Sequence, residues 1–323
     1  MQTDTDVRWL AAAAALAERA RSLSRPNPAV AAIAVRNSIV VGRGWTQPGG
    51  RPHAEAIALA QAGPDARGAT LYVTLEPCAH RSERGPTCAD LAARSGLARV
   101  VVGIEDPDPR TAGQGLARIR AAGIEALRAD NVPCARSLAG YSRAKTTGLP
   151  EVTLKLALTA DGFVARLDGT SKWITGQAAR AHAHRERARA DAILVGGGTY
   201  RTDNPRLDVR LPGLEHRNPR RLLLTRREAP AGWTAIDHPE GIGDFGLQYL
   251  FVEGGAATAG AFLAAGLVHR LLLYRSPTRF GQGIPAFRDP GASGVPDGWE
   301  LADRRQLGSD TLEVYYLESN QEG

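Results

Sequence analysis

The chain has 323 residues, 43% hydrophobic and 23% charged, the profile of a soluble globular protein too long for one core and comfortable as two domains. It has no apolar run of about eighteen residues that could span a bilayer, and three cysteines make no disulfide framework, which places it in a reducing cytoplasm. A net charge of +6 invites a nucleic-acid role, but the excess is confined to residues 1–148 (19 Lys+Arg against 13 Asp+Glu, then 21 against 21), as scattered arginines rather than a basic run.

The Ala-rich start, "VRWLAAAAALAERARS", could be mistaken for a signal peptide. Asp4 and Asp6 precede it, and Glu18 and Arg19 interrupt it, so an amphipathic first helix is the better reading. Two apolar runs, "AVAAIAV" and "SIVVGRGW", follow as a hairpin turning at Arg36–Asn37. "HAEAIALAQAG" has helical spacing and stops at Gly63. "ATLYVTLE" reads as a strand, "CADLAARSG" as a helix ending at Gly96, "ARVVVGIED" as a strand, "GQGLARIRAAG" as a helix and "IEALR" as a short strand. Strands alternating with helices imply an α/β fold with a mostly parallel sheet covered on both faces, a three-layer domain.

The pattern fades from Ala129 to Pro150, which reads as a linker holding Cys134, and the domain boundary falls near 148. Strands and helices then alternate again: "EVTLKLALTADG", helix "QAARAHAHRERARA", strands "DAILVGGG", "RRLLLT" and "QYLFVEGG", helix "ATAGAFLAAG", strand "HRLLLYR" and a final "TLEVYYLE". There is no internal repeat. The two domains are therefore expected over 1–148 and 149–323.

The stretch "LEPCAHRSERGPTCADL" holds two of the three cysteines, Cys78 and Cys88. A catalytic zinc needs three protein ligands and an open position, and "RPHAEAIAL" offers the third: Pro52 suits a first helical turn, His53 follows, and Glu55 lies two residues on. His53, Cys78 and Cys88 would hold Zn²⁺ with water in the fourth place. Glu55 would take that water's proton and pass it to a leaving amine. His-x-Glu followed by Pro-Cys and a second Cys is the pattern of zinc-dependent nucleobase deaminases, although nine residues rather than two separate these cysteines. A structural zinc would want a fourth ligand; His80 could serve, but its loop position suits substrate contact better. A nucleic-acid-editing deaminase would show basic patches interleaved with aromatics, and aromatic content is only 6%. In the second half, "LFVEGGAATAGAFL" is a strand, two glycines and a helix, able to cradle a pyrophosphate on backbone amides. Neither it nor "LVGGG" is a GxGxxG fingerprint, so a Rossmann domain is not supported.

Taken together, "RPNPAVAAIAV", "RPHAEAIAL", "TLYVTLEPCAH", "GPTCADL" and "EDPDPRTAGQGL" resemble the deaminase domain of the bifunctional riboflavin-biosynthesis deaminase/reductases. The resemblance continues through "TLKLALTADGFVA", "SKWIT", "GGGTYRTDNPRLDVR" and "FVEGGAATAGAFL". It implies a cytidine-deaminase-like domain followed by a dihydrofolate-reductase-like α/β domain. The implied activities are zinc-dependent deamination of 2,5-diamino-6-ribosylamino-4(3H)-pyrimidinone 5′-phosphate and NADPH-dependent reduction to 5-amino-6-ribitylaminouracil 5′-phosphate. The implied enzyme is a homo-oligomer, dimer or tetramer, acting on a small phosphorylated substrate, with no nucleic-acid or membrane partner.

Carried over motif by motif, Asn27, His80 and Asp106 line the deaminase pocket, and Arg84 is the nearest basic residue of the inter-cysteine loop. Asp108 departs, standing where the family often has Asn. In the reductase, Lys155, Arg187 and Arg210 look like substrate-side residues, the arginines suited to a phosphate. Ser171, Trp173, Thr175, Thr199 and Asp203 match positions near the nicotinamide and substrate. Glu253, on the substrate side, forms the cofactor-phosphate turn with Gly254 and Gly255. Between about 228 and 248 the chain is short, and the extra strand and helix that the family places there for the adenosine end of NADPH look lost, so weakened NADPH binding, or a different way of holding it, is expected, with an enzyme that only deaminates as the alternative.

Overall fold

A computed structural model describes residues 2–80, 85–291 and 294–317, and the chain divides into two units, Met1–Gly148 and Leu149–Gly323. The first begins with α1 (Asp4–Ala17), entered through a capping box in which Thr3 Oγ1 accepts the Asp6 N–H and Asp6 accepts that of Thr3. The same buried Asp6 carboxylate takes a forked pair from Arg99, at 2.7 and 3.1 Å, and the Tyr72 hydroxyl at 3.1 Å. One side chain thus caps the helix and ties it to the sheet.

The hairpin β1 (Ala31–Arg36) and β2 (Ile39–Trp45) turns at Asn37–Ser38, one residue later than the sequence reading. Both turn residues have positive φ, 51° and 63°. A two-residue turn matching the strand twist needs the left-handed region twice, and Asn is among the residues that tolerate it best. After α2 (Ala54–Ala62) come β3 (Thr70–Leu75), α3 (Cys88–Arg94), β4 (Arg99–Ile104), α4 (Gln114–Ala121) and β5 (Glu125–Arg128). The sheet order is β2-β1-β3-β4-β5. Only β3, β4 and β5 run parallel; β1 is antiparallel to both its neighbours, so the sheet is mixed rather than mostly parallel. Side-chain alternation divides the core. Ala32, Ala34, Leu71, Val73, Val100 and Val102 pack with α2, α3 and α4, whereas Ile33, Val35, Tyr72 and Val101 pack with α1.

The stretch read as a linker is a helix, α5 (Val132–Thr147). Asn131 caps it by accepting the Cys134 N–H, Pro133 sits in its first turn, and Gly148 ends it at φ 75°. Cys134 is therefore a core residue, fully buried against α1 with its Sγ 3.5 Å from the Leu10 carbonyl.

The second unit is an eight-stranded sheet in the order β10-β9-β8-β11-β6-β12-β15-β14. It is built from β6 (Glu151–Leu158), β7 (Phe163–Ala165), α6 (Gln177–Arg187), β8 (Ala192–Gly196), α7 (Gly197–Asp203), β9 (Arg220–Leu224), β10 (Thr234–Ile236), β11 (Tyr249–Val252), α8 (Ala256–Ala264), β12 (Arg270–Arg275), β13 (Ile284–Pro285), β14 (Trp299–Leu307) and β15 (Asp310–Leu317). The six strands from β10 to β12 are parallel, β15 and β14 close the edge antiparallel, and β7 pairs with β13 in a separate ladder. Val152, Leu154, Leu156 and Leu158 of β6 face Ala259 and Phe262 of α8. Ile193, Val195, Phe251 and Leu272 form the other face with Ala179 and Ala183 of α6.

Between about 228 and 248, where a strand and a helix were expected to be missing, the chain forms the three-residue β10 paired with β9. The helix is reduced to 3₁₀ turns over Pro239–Phe245, where a proline and two glycines within seven residues disfavour a longer α-helix.

Candidate active site

Four segments meet at one end of the first sheet. His53 is the N-cap of α2, which places Glu55 in its first turn; Cys78 follows β3, and Cys88 opens α3 behind the Thr87 cap. His53 Nδ1 lies 3.2 Å from Cys88 Sγ and 3.6 Å from Cys78 Sγ, and the Cys88 N–H donates to Cys78 Sγ at 3.4 Å. All three donor atoms lie within 4.8 Å of one another. Two thiols and an imidazole at this spacing fit a zinc ion with one position left open. His80 is not in the cluster among the described residues; its Nδ1 is 3.3 Å from Thr111 Oγ1. The two thiols polarise each other: hydrogen bonding from Cys88, then from His53, brings the Cys78 thiol down to about 4, while its bond to Cys78 and burial push Cys88 up.

Glu55 is 3% exposed, and desolvation pushes its carboxyl up to about 7. It faces a cavity of about 270 Å³ that Asn27, His80 and Asp106 also line. Asn27 donates to the Gly50 carbonyl at 2.9 Å, and its amide nitrogen lies 3.2 Å from His53 Nε2. Gly50, at φ 88°, is required there because a Cβ would lie 2.7 Å from the Asn27 side chain. Arg84 lies outside the described residues. Asp108 is buried in an ion-paired corner. Its carboxylate accepts from Arg110 at 2.9 and 2.6 Å and from Lys145 at 3.2 Å, and these cations hold it well below the usual carboxylate range.

In the second unit Lys155 on β6, Arg187 at the end of α6 and Glu253 after β11 converge. Arg187 forks onto Glu253 at 2.5 and 3.0 Å, and Lys155 Nζ lies 3.7 Å away. Burial alone would raise the Glu253 carboxyl, but Arg187 and Lys155 outweigh it and bring it down to about 2. Burial lowers Lys155 against the pull of Glu253. Arg187 also donates to the Asp208 carbonyl at 3.1 Å, so its guanidinium is engaged within the fold. The remaining expected residues are more dispersed. Asp203 pairs with Lys172 at 3.1 Å, Trp173 is 72% exposed under the Arg180 guanidinium, and Arg210 is exposed beside Asp208. Ser171 is half-buried, and the Thr175 carbonyl accepts from Arg180.

Gly254 and Gly255 turn β11 into α8, and Gly196 turns β8 into α7; neither helix has a side-chain N-cap. A Cβ on Gly196 would lie 2.2 Å from Thr258 Oγ1, one on Gly254 would lie 2.4 Å from Thr258 Cβ, and one on Gly255 would face Thr199 Oγ1 at 3.8 Å. Two glycine turns that present uncapped backbone amides to one place fit the pyrophosphate of a dinucleotide.

Residues 3–104 match the cytidine and deoxycytidylate deaminase zinc-binding region, and residues 150–234 and 242–312 match the RibD C-terminal domain. The riboflavin biosynthesis protein RibD of Aquifex aeolicus is 33% identical, with 97% of this chain and 98% of that one covered. The chain belongs to the RibD family. The Escherichia coli RibD is 35% identical over 94% of each chain. RibD of Acinetobacter baumannii superposes with a TM-score of 0.81 at 32% identity, covering 97% of this chain and 98% of that one. A Thermotoga maritima diaminohydroxyphosphoribosylaminopyrimidine deaminase/5-amino-6-(5-phosphoribosylamino)uracil reductase gives a TM-score of 0.84 at 29% identity with the same coverage.

As a RibD-family member the protein is a bifunctional enzyme of riboflavin biosynthesis, with a zinc-dependent deaminase and an NADPH-dependent reductase. The break in the RibD C-terminal match, at 235–241, falls on the end of β10 and the start of the 3₁₀ turns. Sequence reasoning missed Glu76, whose buried carboxylate accepts the N–H groups of Gly113 and Leu116 and so anchors the start of α4. It also missed Tyr141 and Lys145 on α5. Glu76 adjoins the Pro-Cys motif and was within reach; the other two lay in a helix that had not been read.

Proposed function

We propose that the first unit hydrolyses the 2-amino group of 2,5-diamino-6-ribosylamino-4(3H)-pyrimidinone 5′-phosphate. The second then reduces the ribosyl chain of the product with NADPH, giving 5-amino-6-ribitylaminouracil 5′-phosphate. The observation that carries this reading is the cluster of His53, Cys78 and Cys88, two of which, His53 and Cys78, line a cavity that the buried Glu55 also lines. His53, Cys78 and Cys88 would hold a zinc ion, which would supply the acidification of water that hydrolysis needs. Glu55 takes a proton and delivers it to the departing ammonia, a role that needs a carboxylate at the cavity wall without its own metal bond. Asn27, His80 and Asp106 orient the pyrimidine, with Arg84 beside them.

In the second unit the amides of the Gly254–Gly255 turn and Thr199 hold the cofactor, with Ser171, Trp173, Thr175 and Asp203 about its reacting end. Lys155 and Glu253 face the sugar, with Arg187 and Arg210 on the phosphate side. Glu253 is fixed by Arg187, so its carboxylate is set before substrate arrives. The same reading makes the enzyme a cytoplasmic homo-oligomer acting on small phosphorylated pyrimidines, with no nucleic-acid partner. No helix among the described residues is long and apolar enough to cross a membrane.

The test is an assay of purified protein with the diaminopyrimidinone phosphate, with and without NADPH, read by product mass beside Glu55→Gln. Loss of one amine that disappears in Glu55→Gln, then a two-hydrogen gain with NADPH, is expected. Deamination without reduction would restrict the reading to the deaminase, and no deamination would overturn it.

A further inference from the structure

Helix α5 walls the deaminase cavity, and two of its side chains one turn apart reach the carboxylates of the loop after β4. Tyr141, 4% exposed, donates its hydroxyl to Asp106 Oδ1 at 3.0 Å, the same oxygen that accepts the Asp108 N–H at 2.9 Å. The Asp106 N–H is also engaged, at 3.4 Å from Glu76 Oε2. Asp106 is therefore held on its main chain and on one carboxylate oxygen, and the hydroxyl is the only side-chain donor shown for it among the described residues.

Lys145 Nζ lies 3.2 Å from Asp108 Oδ2, which also accepts Arg110 Nη2 at 2.6 Å. Asp108 is 5% exposed. A buried carboxylate without partners is costly, and one beside an anionic substrate repels it as well. An amide at that position would need no cation. The pairing thus supplies a reason for both cations at the cavity wall.

We propose that Tyr141 and Lys145 are positioning residues for deamination: Tyr141 sets the Asp106 carboxylate toward the pyrimidine, and Lys145, with Arg110, neutralises Asp108 so that a carboxylate can stand beside a phosphorylated substrate. This rests on the deaminase reading above. It makes Lys145 necessary only because residue 108 is an aspartate.

The test is a double-mutant cycle on the full-length, zinc-loaded enzyme: Lys145→Met, Asp108→Asn and the pair, with Tyr141→Phe alongside. Zinc content and the reductase rate on pre-deaminated substrate report folding. Lys145→Met is expected to raise the deaminase KM about 3- to 10-fold with kcat within about 2-fold, as for a half-exposed ion pair at a site edge. Lys145→Arg should restore KM, and in the Asp108→Asn background the Met substitution should cost less than about 2-fold. Tyr141→Phe, which removes a hydrogen bond to a charged group, should raise KM about 10-fold or more.

An equal penalty for Lys145→Met in both backgrounds, or an unmoved KM in Tyr141→Phe, overturns the inference. So do variants that lose zinc or reductase rate while their deaminase KM stays put, which would make both residues structural. A parent enzyme that does not deaminate overturns the reading beneath it, and the inference with it.

Discussion

Replacing Arg187 with methionine should unfold the second unit more readily, by an amount its surroundings dictate. The guanidinium makes two bonds to Glu253 and one to the Asp208 carbonyl, and the two charged side chains are largely shielded, 12% and 10% exposed. Without it, Lys155, at 3.7 Å, is the one ion-pair partner that Glu253 keeps among the described residues. Breaking a buried pair from one side costs about 3–5 kcal/mol because the other charge stays stranded. For a unit of this size that is roughly 6–20 °C in Tm. Calorimetry on the full chain resolves it as a shift in one of two transitions, and adding Glu253→Gln should recover part of the loss.

Acid supplies the check. The Glu253 carboxyl is held at about 2, below its ordinary 4.5, so the native state binds its proton less readily than the unfolded chain. Its contribution to stability is therefore complete above pH 4.5 and disappears as pH falls toward 2. The Tm gap between parent and Arg187→Met should be widest near pH 7 and narrow as pH falls, first as the stranded carboxyl of the variant takes up its proton and then, below 4.5, as the parent loses its own pair. A gap of under 2 °C at pH 7, or one that persists undiminished at pH 3, would refute the reasoning.

Three further outcomes follow from particular contacts. Chelating zinc should abolish deamination while sparing the reductase, with zinc restoring the lost activity; inactivation of both by the same titration would count against a site confined to His53, Cys78 and Cys88. Gly103→Ala should lower the stability of the first unit by about 1–3 kcal/mol in urea unfolding, since its Cβ would lie 2.5 Å from Cys134 Sγ and 2.7 Å from the Thr74 carbonyl. Gly254→Ala should weaken NADPH binding about 10-fold by fluorescence titration, because the added carbon must displace Thr258 or the turn that presents the amides.

What the sequence displayed was whatever had a short-range cause. His53 caps α2, Cys88 opens α3 and Cys78 follows the end of β3, so motif order and local pattern placed the three correctly relative to the secondary structure. Strands such as β3 and β8, buried on both faces, are continuous apolar runs and read plainly. The last hairpin was half visible: β15 buries five of its eight residues, whereas its partner β14, "WELADRRQL", has none buried and resembles a polar loop. The edge strand β10 has three residues, below the length at which alternation can register. The part-buried Arg187–Glu253 pair was illegible for another reason, since its members are 66 positions apart and nothing local marks either as paired.

Helix α5 shows how a missed element carries chemistry with it. Its sequence, "VPCARSLAGYSRAKTT", contains a proline, a glycine, two serines and two threonines, so summed propensity argues against a helix. What makes it one is tertiary: Cys134, Leu138 and Tyr141 are buried against the domain core, and the ends are fixed by Asn131 and Gly148. Those two caps were the available signal, with the sixteen residues of the helix between them and a proline placed where a first turn accepts it. Once the helix exists, the i, i+4 spacing brings Tyr141 and Lys145 to one face, over Asp106 and Asp108. The motif "EDPDP" announced the two carboxylates. Whether they stand as free charges or as held ones is decided by a helix that the motif does not contain, which is why the departure at 108 could be seen in the sequence and explained only in the fold.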